Sequence, residues 1–176
     1  MRRMVVTMLL VLGQAAHADE DALADAMARN PERFEARAID LIAGFGGPDG
    51  LRAEGIETHI ALERAGARAS ALRRFLAMDL DADSRVNREE LAIAQRAASA
   101  AARGRMERQF TAADADGDGI IDPGEMAAAG TAAGLAALGD AEADLLRALL
   151  RLDGDGNGAL VAAEVSAAVA RMDQAG

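Results

Sequence analysis

The chain has 176 residues, enough for one ordinary domain or two small lobes, and a formal charge of −10 that excludes nucleic acid as a partner for any basic face. It has no cysteine, which removes disulfides, thiolate metal sites, thiol nucleophiles and a lipoprotein anchor together. It has no Trp or Tyr and four Phe, so its core must come from Leu, Ile, Val, Met and Ala, and every Lys/Arg position is arginine.

In chain order, Arg2 and Arg3 precede a short apolar run, Met4–Leu12, and then Ala16-His17-Ala18, a small-x-small cleavage site. That is the pattern of a secretory signal peptide over residues 1–18. The apolar run is about half the ~20 residues needed to span a bilayer, which argues against a membrane anchor. The expected product begins at Asp19, carries −12 once the two arginines leave, and is periplasmic or secreted in a bacterium, with no membrane contact after cleavage. A short leading helix is expected over 20–28. A helix over 31–43 follows, with Asn30 as cap and Pro31 at its first position. Further helices are expected over 53–66 and 68–78, then a long link over 88–113 with Gly104 as its interruption, then 123–135, 140–152 and 162–173. Asp140 is placed to cap the penultimate helix. The alanine-rich stretch 97–102 reads as plain helix.

Between these helices a twelve-residue pattern recurs. Residues 79–90 read DLDADSRVNREE, 114–125 read DADGDGIIDPGE and 153–164 read DGDGNGALVAAE. Oxygen-bearing side chains stand at positions 1, 3 and 5, and a glutamate closes each segment at position 12. Calcium takes 6–8 oxygen ligands at about 2.3–2.6 Å, and alternate residues of a tightly turning loop can converge on one ion. The side chains so placed are Asp79, Asp81, Asp83 and Glu90; Asp114, Asp116, Asp118 and Glu125; and Asp153, Asp155, Asn157 and Glu164. The pattern is similar to an EF-hand loop, and that similarity implies a backbone carbonyl ligand at position 7, from Arg85, Ile120 or Ala159, and a water-mediated one at position 9, at Asn87 and Asp122. Position 8 is apolar throughout, at Val86, Ile121 and Leu160. Phe75, Phe110 and Leu149 stand four residues before the loops, and Leu91, Met126 and Val165 directly after them. The three segments resemble the EF-hand loop of the calmodulin superfamily. That resemblance implies an all-α fold of paired helix–loop–helix motifs, arranged as two lobes of two hands each.

EF hands pair through their loops, so three leave one unpartnered. The loop starts are spaced 35 and 39 residues apart, and stepping back 35 from Asp79 reaches Gly44. Segment 44–55 reads GFGGPDGLRAEG, with Leu51 at position 8 and Ile56 directly after it. Its positions 1, 3, 5 and 12 are Gly44, Gly46, Pro48 and Gly55, so no ligand side chain remains. A degenerate first hand is expected, with an ordinary Gly/Pro loop as the alternative. The chain then divides into a signal peptide (1–18), a first pair (19–95, loops 44–55 and 79–90) and a second pair (96–176, loops 114–125 and 153–164).

The 114–125 loop, richest in acids, is expected to bind tightest. The 79–90 loop is expected to bind weakest, because Ser84 stands at position 6 where Gly119 and Gly158 stand in the others. Calcium is the expected ion. Lanthanides are the alternative, but exported bacterial EF-hand proteins related to lanmodulin carry proline at position 2, where this chain has Leu80, Ala115 and Gly154. The expected role is a calcium buffer or binding module, with a calcium-dependent sensor for a protein partner as the alternative. No catalytic arrangement is read: the single histidine beyond the signal, His59, is expected at the surface.

Overall fold

A computed structural model describes residues 22–174. The expected signal peptide lies outside them. The described chain is all-α, as expected: α1 (22–29), α2 (Pro31–Phe45), α3 (Ala53–Leu76), α4 (Arg88–Arg96), α5 (Ala100–Ala113), α6 (Pro123–Ala137), α7 (Asp140–Ala148) and α8 (Ala162–Asp173). A 3-10 turn, Leu149–Leu152, extends α7, and two two-residue strands, β1 (Val86–Asn87) and β2 (Ile120–Ile121), form one ladder. No helix among the described residues is long and apolar enough to cross a membrane.

Local chemistry sets the helix ends. Asn30 caps α2, its side-chain oxygen accepting from Arg33 N–H at 3.0 Å, with Pro31 at the start of the helix. Asp140 is the first residue of α7 and does not precede it. Two expectations fail. The stretch 53–76 is one helix of 24 residues, where two helices were expected with a break near residue 67. Its second half, rich in Ala, Leu and Arg, favours helix strongly enough to carry Gly66, whose cost is about 1 kcal/mol. The link 88–113 does break, but at 97–99 inside the alanine-rich stretch, and Gly104 lies within α5. The Ser99 hydroxyl accepts from Ala102 N–H, so a helix start forms there.

These breaks decide which hands pair. The described residues form two compact units, one combining 22–60 with 140–174, the other Ala61–Gly139. In the second unit β1 and β2 are antiparallel, with Val86 opposite Ile121. In the first, Leu51 and Leu160 exchange backbone hydrogen bonds of 2.8 Å in each direction. The expected division into 19–95 and 96–176 does not match these units: loop 79–90 pairs with loop 114–125, and segment 44–55 with loop 153–164. Within the second unit, the break at 97–99 separates α4 from α5 and lets β1 and β2 meet.

Each unit has its own core. In the first, Leu51, Ile56, Leu160 and Val165 are fully buried, together with Leu41 and Leu149. Arg147 of α7 grips the Glu57 carboxylate through Nε (2.6 Å) and Nη2 (3.0 Å), and the Ser166 hydroxyl donates to Glu35, tying α8 to α2. In the second unit Phe75, Met78, Val86, Leu91, Phe110 and Ile121 form the centre of one cluster. The Arg88 guanidinium lies 4.1 Å above the Phe110 ring and pairs with Glu107. Fully burying a Val, Leu, Ile or Phe side chain contributes roughly 1.5–3 kcal/mol, so the position-8 residues are as much core as loop.

Candidate metal centre

Each acidic loop leaves one helix and enters the next, and its backbone is turned inward by its own carboxylates. The position-1 aspartate accepts from the N–H of position 6: Asp79 from Ser84 (3.0 Å), Asp114 from Gly119 (3.2 Å) and Asp153 from Gly158 (2.7 Å). Position 3 accepts from position 5, in Asp81–Asp83 (3.2 Å), Asp116–Asp118 (3.1 Å) and Asp155–Asn157 (3.0 Å). Position 5 accepts from the N–H of Arg85 (2.7 Å), Ile120 (2.8 Å) or Ala159 (2.8 Å). The closing glutamate bridges the loop. One oxygen accepts from position 2 (Leu80, Ala115 and Gly154, at 2.8, 2.7 and 2.8 Å) and the other from position 9 (Asn87, Asp122 and Val161, at 2.9, 3.1 and 3.0 Å). The same cage is built three times from three different sequences.

The cage demands left-handed backbone at positions 4 and 6. Glycine supplies it in two loops, at Gly117 (φ 75°) and Gly119 (φ 84°), and at Gly156 (φ 73°) and Gly158 (φ 79°). In the 79–90 loop Ser84 has φ 67°, the strain expected from the sequence, and Ala82 has φ 61° as well. Sequence reading missed Ala82. The signal was there, since both other loops carry glycine at position 4.

Carboxylate oxygens converge within 4.8 Å of one another in three groups: Asp79, Asp81 and Glu90; Asp114, Asp116 and Asp118; and Asp153, Asp155 and Glu164. Ligands on opposite sides of one calcium ion would be about 4.6–5.2 Å apart, so each group matches a single coordination sphere. Asp83 and Glu125 lie in their loops but outside these groups. Asn87 and Asp122, expected to act at position 9, spend side-chain oxygens on helix starts. Asn87 accepts from Glu89 and Glu90 N–H (2.9 and 3.1 Å), and Asp122 from Glu125 N–H (2.9 Å). Segment 44–55 contributes no acid to any group.

The donors fit a hard cation. All are oxygens, and Oδ1 of Asp114 is buried without a hydrogen-bond partner, an arrangement that costs free energy unless a ligand meets it. Glu90 is buried, at 6 % exposure, and its carboxyl is held below the usual range chiefly by the Asn87 N–H, against the opposing effect of burial. Asp153 is lowered chiefly by the Gly158 N–H. Both are poised as carboxylates, the form that binds metal. His59, expected at the surface, is half-buried on α3 with its ring 4.9 Å from that of Phe45.

Helix, twelve-residue oxygen cage and helix, joined in pairs through position 8, define a metal-binding helix–loop–helix protein. The family model for the EF hand matches residues 106–128, which cover the end of α5, the whole 114–125 loop and the start of α6. That match supports an EF-hand, calcium-binding reading of the chain. No curated protein matches the chain. No solved structure matches it either.

Proposed function

We propose that the chain binds calcium through the loops 79–90, 114–125 and 153–164, and that loop 44–55 holds no metal and serves to pair the fourth hand. The threefold recurrence of one carboxylate cage carries this reading, with side chains at positions 1, 3, 5 and 12 and the carbonyls of Arg85, Ile120 and Ala159 as ligands. A closing glutamate able to give both oxygens favours the larger calcium ion over magnesium, which prefers a compact octahedral shell. Isothermal titration with calcium tests it. Three sites are expected, and saturation with magnesium should leave them accessible to calcium. A stoichiometry of one, or none, overturns the reading.

On this reading the protein is exported and buffers calcium, and it has no catalytic role. The amino terminus of the product recovered from the cell tests the export step; expected is a chain beginning at Asp19. A second reading, a calcium-dependent interaction protein, draws on Leu62, Leu76, Leu80, Ile93 and Leu135, five large apolar side chains exposed in the second unit. A rise in binding of an apolar-surface dye on adding calcium favours it, and an unchanged signal favours the buffer.

A further inference from the structure

The first unit contains a groove of about 600 Å³ between α2 and α7 that the metal sites do not use. Its apolar wall includes Phe34, Leu41, Phe45, Leu145 and Leu146. The chain has four phenylalanines. The two in the second unit, Phe75 and Phe110, are core residues, whereas Phe34 and Phe45 are only half-buried and face this groove. Leaving scarce aromatic surface partly wet is costly unless something covers it.

The border of the groove has the opposite charge to the protein. Three exposed arginines, Arg29, Arg33 and Arg37, line it, against two acids, Asp40 and Glu142. Arg37 is within 3.8 Å of Glu142, so that pair is partly neutralised, and Arg29 donates to the backbone carbonyl of Asp25. Arg33 is left to face an incoming anion. The wall also holds one unsatisfied polar atom, the buried Nδ1 of His59. A volume of this size suits a small ligand, since such pockets span about 300–1,000 Å³. We infer that the groove between α2 and α7 binds a single-chain anionic amphiphile, a free medium-chain carboxylate, with its tail on Phe34, Phe45 and Leu146 and its head group at Arg33. This site is separate from the calcium loops and does not rest on their occupancy.

The test is titration of the full chain with decanoate, at calcium stoichiometric with the loops so that no soap precipitates, followed by NMR of the Phe ring protons. Saturable binding of one decanoate per chain is expected, with shifts at Phe34 and Phe45 and none at Phe75 or Phe110. Arg33→Glu should weaken it roughly tenfold, the size of a reversed charge near the surface, and Arg105→Glu, an equal charge change in the second unit, should leave it unchanged. The Arg33 backbone N–H donates to the Asn30 cap, a bond glutamate keeps, and glutamate suits a first helical turn, so the variant should fold. Equal affinity for decyltrimethylammonium, unchanged affinity in Arg33→Glu, or binding only to anionic vesicles and not to free decanoate would overturn the assignment.

Discussion

The 79–90 loop offers the sharpest quantitative test, because it builds the same cage as its neighbours with the wrong residues at two positions. Ala82 and Ser84 hold φ of 61° and 67°, where the other loops have glycine. A left-handed side-chain-bearing residue costs roughly 1–2 kcal/mol, and glycine gives back part of that as greater freedom in the unfolded loop, about 0.5–1 kcal/mol. Each replacement should therefore gain about 0.5–1 kcal/mol. The cage orders its acids against their mutual repulsion, so loop formation is coupled to metal and the gain should appear as affinity. Ser84→Gly should tighten calcium at this loop about twofold to fivefold, and Ala82→Gly/Ser84→Gly about fivefold to thirtyfold. Calorimetric titration in a background with Glu125→Gln and Glu164→Gln isolates the site. An affinity unchanged by the double substitution would refute the strain argument.

Other outcomes follow from the same geometry. Calcium at a hundredfold over its dissociation constant adds about 2.7 kcal/mol per site, so three sites should raise the melting temperature by roughly 15 °C or more over chelator. Coincident melting curves would contradict it. Leu51→Ala removes a fully buried contact with the fourth hand and should cost about 2–5 kcal/mol, weakening calcium at 153–164 while sparing 79–90; the reverse pattern would restore the sequential pairing. Glu90 and Asp153 have lowered folded pKa values, so their stabilisation is complete above the ordinary carboxylate range and is lost as pH falls through the folded values. Acid melts in chelator should show this limb, flatter in Glu90→Gln; an identical limb in that variant would remove Glu90 from the explanation.

The loops were legible because coordination imposes a fixed spacing. Asp114, Asp116 and Asp118 announce themselves, and the anchors Phe110 and Met126 follow from the helices the loop must join. Segment 44–55 could be placed by arithmetic, and its Leu51 is fully buried and bridged to Leu160. The choice of partner was not legible. Leu51, Val86, Ile121 and Leu160 are all apolar and interchangeable as pairing residues, so nothing in them says which meets which. That choice rests on whether the chain reverses at Gly66 or at Ser99. The two differ by about 1 kcal/mol of helix propensity and one serine cap. At position 9 the sequence showed the oxygens of Asn87 and Asp122 but not that the same residues cap the next helix.

The most direct test of the account is native mass spectrometry of the calcium-loaded chain. Three calcium ions are predicted, falling to two in each of Glu90→Gln, Glu125→Gln and Glu164→Gln, and staying at three when Asp49 and Glu54 of the first loop are replaced by Asn and Gln. A fourth ion lost with Asp49 and Glu54, or a count unaffected by the closing glutamates, would contradict it.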